Sequence, residues 1–414
     1  MRDIERGSGS RPALSRCIRV SPAEFAERHW GREPLLSPAD QLPGAFDDLF
    51  STEAVDELIT TRGVRTPFIR MAHEGSVLAA SAYTASGGFG AEIADQVSSD
   101  KVLAEFAGGA TIVLQGLHRL WPPLVEFTRA LIDDLGHPAQ VNAYVTPPSS
   151  QGFDPHYDTH DVFVLQIAGE KHWRIHAPVH VDPLRAQPWT DHRAAVARAA
   201  THEPMIDTVL RPGDVLYLPR GWIHSATALG ETSVHLTVGM SAYTRADVVD
   251  ALVAQVGNTA ALRESLPLGL DLRDAEALAP IVEQTVQALI ETLRATDASR
   301  PIALLSSRFD AQTRAEPLAP LTTLGTAAAL DGGTRVRWRG SLRVRIITVE
   351  DRVRLVARTK TLTLPLEAQA AVRRLAAGDV VAVGELPGLD ADSAIVVVRR
   401  LLREGFVVPA VAPA

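Results

Sequence analysis

An α+β chain built around a double-sheet jelly roll is predicted by three observations. Between Ala139 and Ser241, short β-branched or aromatic runs alternate with Pro, Gly and Asp turns, at 141–146, 162–168, 172–176, 215–218 and 233–241. After Tyr243 the apolar residues recur at steps of three and four, the helical period. From residue 311 onward, alternating strands mix with two short capped helices. Many short strands with turn punctuation suggest the cupin architecture, a double-stranded β-helix. The helical stretch then forms a separate module, and the last segment has the strand and helix order of a winged helix, a helix-turn-helix variant.

The elements justify this in order. Residues 1–18 are read as a disordered, polar arm. Ser21-Pro22-Ala23-Glu24 has the cap, the proline at the first helical position and the acid of a helix start. Residues 51–61 read as a second helix, and 66–98 show no clean period. Residues 110–115 (ATIVLQ) form a buried strand by their continuous apolar run. A helix over 122–135 follows, stopped by Gly136. The jelly-roll strands complete a catalytic domain over 19–243.

Val248, Val249, Leu252, Val253 and Val256 form one helical stripe. Leu278, Ile281, Val282, Val286, Leu289, Ile290 and Leu293 form another. These stripes bury against the barrel, each other or a second copy of the chain, and they define a module over 244–310. In the domain over 311–414, strands are expected at 335–339, 342–349 and 353–357. A helix runs from Pro365 to Ala376, another from an Asp390 cap to Glu404, and 406–408 extends.

Composition narrows the function classes. The 414 residues are 46% hydrophobic and 22% charged, ordinary for a globular chain of two or three domains. No apolar run approaches the ~20 residues that span a bilayer, and the first residues lack the apolar core of a signal peptide, so a cytoplasmic address is expected. Cys17 stands alone, which excludes a disulfide framework, and it is read as a bland thiol in a loose arm. The net charge of −8 is uneven: residues 331–414 carry 14 basic and 9 acidic residues, a net of +5. That excess suits Arg-rich strands facing water better than a nucleic-acid surface.

The chemistry concentrates in 142–176 and 213–224. His156-x-Asp158 sets two ligand-type side chains on one side of an extended segment, because residues i and i+2 share a face. Gly213-Asp214-Val215-Leu216-Tyr217-Leu218-Pro219-Arg220-Gly221-Trp222-Ile223-His224 supplies a turn, a strand and a third ligand. Two histidines and one carboxylate form the facial set of non-haem iron(II) oxygenases, which leaves coordination positions open. Lys171, one of three lysines beside 38 arginines, has no acidic partner expected inside a barrel. Buried, it invites an anion such as the distal carboxylate of 2-oxoglutarate. The alternative is an exposed lysine in a Gly-Glu-Lys hairpin turn. His235 lies mid-strand near these residues, and either a cosubstrate contact or a core hydrogen bond suits it.

These motifs resemble those of the JmjC ribosomal oxygenases, also called cupin-4 proteins. The likeness begins at 25–36 (FAERHWGREPLL), is dense from Gly109 to Pro178, and returns at 211–226 and 234–238. It implies an iron(II)- and 2-oxoglutarate-dependent oxygenase using O2 to hydroxylate a protein side chain, arginine or histidine of a ribosomal protein. The family's metal triad falls on His156, Asp158 and His224, and its basic residue for 2-oxoglutarate on Lys171. Asn142 and Tyr144 match positions that approach the cosubstrate. The resemblance also implies a helical dimerisation module, hence a homodimer, and a C-terminal winged helix. A peptide natural product or free amino acid is the alternative substrate, and a DNA-binding cupin regulator the alternative outside enzymes. Thr159-His160-Asp161, the bulky Trp222 and an expanded 185–205 depart from the family pattern and are expected to border the substrate cleft.

Overall fold

The computed structural model describes residues 11–73, 75–90, 92–148, 150 and 153–410. The chain divides into two compact units, Met1–Ala242 and Tyr243–Ala414.

In the first unit the strands are β1 (Leu35–Ser37), β2 (Ile69–His73), β3 (Ser76–Val77), β4 (Thr84–Ala85), β5 (Gln96–Val97), β6 (Thr111–Leu114), β7 (Ala139–Thr146), β8 (Asp161–His176), β9 (Ile206–Leu210), β10 (Val215–Leu218) and β11 (Ile223–Met240). Nine of them form one antiparallel sheet in the order β1-β10-β8-β11-β7-β6-β2-β3, with β9 on β8. Together with its helices this is the cupin-type fold that the turn-punctuated strands predict. Alternation decides the two faces. Met71, Ile112, Val145 and Val234 stand in register across β2, β6, β7 and β11 and enter the main core. Their neighbours Arg70, Val113, Tyr144 and His235 form the adjacent row, which must face the other way.

Two long strands replace expected short ones. Residues 162–168 and 172–176 belong to a single 16-residue strand, β8, and 233–240 belongs to the 18-residue β11, which stops one residue short of the expected 241. The Gly169-Glu170-Lys171 segment is therefore no hairpin. Gly169 takes a left-handed φ of 62° and passes a carbonyl of β11 so closely that a Cβ would lie 2.2 Å from the Thr232 oxygen. The register of the two strands shifts just there, so the glycine marks a bulge and not a turn.

The N-terminal arm also departs from expectation. Residues 1–10 lie outside the described residues, but Pro12–Ser15 is helical and Ala13, Leu14, Cys17 and Ile18 are buried in the main core. Asp134, at the end of the helix Pro122–Leu135, accepts the Ala13 and Leu14 backbone N–H groups at 2.9 and 3.0 Å. The apolar pairs Ala13-Leu14 and Cys17-Ile18, three to four apart, mark a buried helical face that the surrounding charge conceals. Cys17 is 1% exposed, and burial pushes its thiol up to about 12, so it is inert by burial and not by looseness. Elsewhere the expected signals hold. Ser21 accepts the Glu24 N–H, the helix Thr52–Thr60 forms, and Gly136 ends Pro122–Leu135 at a φ of 72°.

In the second unit, the helices Arg245–Val253, Ala275–Ala295 and Ser299–Gln312 precede Pro320–Ala328. Ala275–Ala295 carries the second predicted stripe, yet none of its residues is buried, and Val282, Val286 and Ile290 are exposed. The remainder has its own core. Its strands are β12 (Arg335–Trp338), β13 (Arg345–Val349), β14 (Arg352–Val356), β15 (Thr361–Pro365), β16 (Val381–Ala382) and β17 (Val407–Pro409). β12 lies between β16 and β17, and β13, β14 and β15 form a meander. The helix expected from Pro365 begins at Gln369, because Leu362 and Leu364 alternate into the core and carry β15 through Pro365. Asp390 caps Ala391–Arg403 by accepting the Ser393 N–H, and Gly405 follows at a left-handed φ of 67°.

Candidate metal centre

His156, in the segment before β8, and His224, the second residue of β11, form an isolated antiparallel bridge. Each backbone N–H donates to the other's carbonyl, at 3.2 and 2.8 Å, and the rings lie 4.4 Å apart. Both imidazoles are held alike. Nδ1 of His156 is 2.6 Å from the Asp154 carbonyl and Nδ1 of His224 is 3.0 Å from the Trp222 carbonyl. A carbonyl can only accept, so each Nδ1 carries the proton and each Nε2 keeps its lone pair. Asp158 sits two residues past His156, and its Oδ2 is 3.9 Å from His224 Nε2. One ligand atom from each of the three side chains lies within 4.8 Å of the others, the one such group among the described residues.

The proton states suit a metal. Burial, helped by His156, pushes His224 down to about 4. Burial works against the Asp158 carboxylate, but His160, His224 and His156 outweigh it and hold the group below its ordinary value. At neutral pH the donors are therefore a neutral imidazole at His224 and a carboxylate at Asp158, the forms a metal ion requires. Two imidazole nitrogens and one carboxylate oxygen fit iron(II) in the facial arrangement with positions left open.

The turn before His224 is pinned from below. Asp161, wholly buried, accepts the Tyr217 hydroxyl at 2.8 Å and the Arg220 N–H at 3.0 Å. Gly221 N–H donates to the Asp158 carbonyl at 2.9 Å, and its φ of 87° with the His180 carbonyl 2.7 Å from a would-be Cβ makes glycine necessary there. Asp161, expected at the substrate cleft, is thus an anchor for the strand that presents His224. Trp222 is likewise displaced from expectation. Its Nε1 donates to the Arg32 carbonyl at 3.2 Å, and the ring packs on apolar side chains away from the cavity.

A cavity of about 260 Å³ opens beside the triad. Lys171 lines it at 4% exposure, and its Nζ donates to Thr146 Oγ1 at 3.1 Å. No carboxylate pairs with it among the described residues, and burial pulls the ammonium down to about 7. Tyr144 lines the same cavity, stacked on His235 at 5.0 Å with the rings 3° from parallel. Burial raises its phenol, which stays neutral. Asn142 does not line the cavity. Its Oδ1 accepts the Gly116 N–H at 3.0 Å and secures the turn after β6.

Several lining residues escaped the sequence reading. Thr146 could have been found, since it follows Tyr144 by two on the same strand face. Arg70, whose guanidinium lies 5.8 Å from the Phe153 ring, comes from the stretch without a clean period and gave no signal. Trp189 comes from the expanded 185–205 segment and does border the cavity, with Arg193 stacked on it at 4.6 Å.

The segment that holds this site resembles known proteins. Residues 119–248 match the JmjC domain. The chain is 34% identical to ribosomal oxygenase 1 of Gallus gallus over 227 residues, covering 55% of this chain and 35% of that protein. It is 29% identical to the bifunctional lysine-specific demethylase and histidyl-hydroxylase NO66 of Drosophila persimilis over 354 residues, covering 78% and 48%. The chain thus spans between a third and a half of the length of these relatives. Among solved structures, YcfD, a ribosomal oxygenase from Escherichia coli in complex with cobalt and 2-oxoglutarate, superposes with a TM-score of 0.53 at 18% identity, covering 95% of this chain and 99% of that one. The resemblance read from the motifs is thus matched by these comparisons: the chain carries a JmjC domain over residues 119–248 and is similar to the ribosomal oxygenases.

Proposed function

We propose that the chain is an iron(II)- and 2-oxoglutarate-dependent oxygenase that hydroxylates a protein side chain. The observation that carries the reading is a buried, acid-free Lys171 in one cavity with a His-Asp-His ligand set. His156, Asp158 and His224 would hold the metal, and Lys171 with Thr146 the far carboxylate of 2-oxoglutarate. When both are bound, the chemistry supplied is activation of O2, with 2-oxoglutarate going to succinate and CO2 and a C–H bond to C–OH. The protein's part is to hold the donors in one protonation state, anchor the dicarboxylate and keep the cavity walled by Tyr144, Phe153 and Trp189.

The acceptor we propose is arginine or histidine of a ribosomal protein; the relatives' names speak of ribosomal oxygenases and of a histidyl-hydroxylase. The lining favours the uncharged imidazole. Asp158, the one carboxylate among the described lining residues, is committed to the triad, while Arg70 is a cation, so a guanidinium finds no counter-charge. Incubating the iron-loaded protein with ribosomal proteins and 2-oxoglutarate should add one oxygen atom, read by mass spectrometry, to a histidine. Succinate formation with no oxygen added to any ribosomal protein would move the substrate to the alternative, a peptide or free amino acid.

A pH dependence follows from Lys171. In the empty cavity it loses its proton near pH 7, and the dianion binds the protonated form. Affinity for 2-oxoglutarate should hence fall as pH rises above about 7, by up to about tenfold per unit, with proton uptake on binding. Calorimetry in buffers of different ionisation enthalpy checks this. An affinity that stays flat from about pH 6 to 9 would mean that Lys171 keeps its proton throughout that range before the ligand binds.

We further propose that 244–310 is a dimerisation module, that 311–414 is a winged helix, and that the protein works as a cytoplasmic homodimer. No helix among the described residues is long and apolar enough to cross a membrane. Exposure of Val282, Val286 and Ile290 along one helix supports a second copy as their cover. A charge at the centre of a two-fold contact meets its own copy, so Val286→Glu should give a folded monomer by light scattering. A parent protein already monomeric at micromolar concentration would remove the dimer.

A further inference from the structure

His235 is 3% exposed and lines the cavity, yet among the described residues no hydrogen bond engages its ring. Its orientation is fixed from two sides, parallel to Tyr144 at 5.0 Å and edge-on to Trp173 at 5.5 Å. A buried imidazole held this firmly without a polar partner calls for an explanation, because native cores rarely leave such a group unsatisfied. Nδ1 is sealed away from solvent and unpaired. Nε2 is then the edge open to the cavity. A sealed lone pair is cheaper to leave unmet than a sealed N–H, so the proton belongs on Nε2. The ring thus presents a donor to whatever fills the cavity. Burial comes first among the causes that keep it uncharged, and the charge of Lys171 second, ahead of that of His224, which places His235 in the field of the lysine.

We propose that His235 is a positioning residue for the cosubstrate, donating its Nε2–H to the distal carboxylate that Lys171 and Thr146 also engage. This rests on the 2-oxoglutarate reading above. A carboxylate has about four acceptor sites, so three donors can share it without competition. The neutral ring adds direction where the ammonium adds charge, and Tyr144 stacking sets that direction. Tyr144 then acts on the cosubstrate through His235 as well as by lining the cavity.

The test is anaerobic calorimetry of the full chain loaded with manganese(II). Parent, His235→Phe and His235→Gln proteins are titrated with 2-oxoglutarate and with 2-oxobutanoate, which lacks the distal carboxylate. Phenylalanine keeps the stacking and removes the donor, so 2-oxoglutarate binding should weaken about tenfold, the usual worth of a hydrogen bond to a charged group. Glutamine, whose amide N–H reaches about as far as Nε2, should recover part of the loss. Binding of 2-oxobutanoate should be the same in all three. Equal 2-oxoglutarate affinity in the parent and phenylalanine proteins overturns the role of His235. An equal loss for both ligands does so too, since it would place the ring at the metal end. A parent protein that binds no 2-oxoglutarate removes the oxygenase reading itself.

Discussion

Alanine at Asp158 or His156 is expected to leave a folded protein that neither holds iron(II) nor turns 2-oxoglutarate into succinate. Losing a group that merely orients a ligand costs 10–100-fold in metal affinity, so losing one of three ligands costs more. The fold should survive, because the main core is built from other side chains and Asp158 and His156 stand only partly buried at the cavity. Removing His156 even relieves His224 of the neighbour that helps to suppress its protonation. Equilibrium dialysis against iron(II) under nitrogen, with circular dichroism as the control, decides the matter. Parental iron binding by Asp158→Ala would show that the triad is not the metal site.

Lys171 carries the second large effect. Lys171→Ala should weaken 2-oxoglutarate by about one to two decades, the ~1.5–3 kcal/mol of a hydrogen bond to a charged partner. Lys171→Arg should keep part of it, since a guanidinium also pairs a carboxylate. The ligand-free protein should respond in the opposite sense. The folded state lowers the lysine from 10.5 to about 7, so the unfolded chain binds the extra proton between those values. Burying the ammonium costs stability in full below pH 7, and the cost fades as pH rises towards 10.5. Lys171→Met should accordingly raise the melting temperature of the empty protein, most of all at acidic pH, while weakening the ligand. A variant destabilised at acidic pH would mean that the lysine has an ionic partner in the fold.

The ligand spacing was legible because chemistry and geometry coincide there. His156 and Asp158 are two apart on an extended segment, and the Tyr217-Leu218-Pro219 run leads straight to His224. Helix ends were legible where a local signal decides them, as at Ser21, Gly136 and Asp390. What stayed hidden depends on partners distant in sequence. Cys17 lies in a charged stretch and is buried just past the helix Pro12–Ser15, which the Asp134 carboxylate ties to Pro122–Leu135. Gly169 looks like a turn until the bulge of β11 opposite explains it. Trp222 reads as a cleft residue, yet the Arg32 carbonyl holds it elsewhere. Arg70 reaches the cavity from a strand three positions away in the sheet from β8's neighbour β11, a proximity no local pattern carries.

One cavity is expected to hold both the metal and the dicarboxylate. Diffraction from crystals soaked anaerobically with manganese(II) and 2-oxoglutarate tests it most directly. An anomalous peak is expected at His156 Nε2, Asp158 and His224 Nε2, with the ligand's far carboxylate against Lys171 Nζ. A metal peak elsewhere, or a 2-oxoglutarate whose far carboxylate leaves Lys171 untouched, would contradict it.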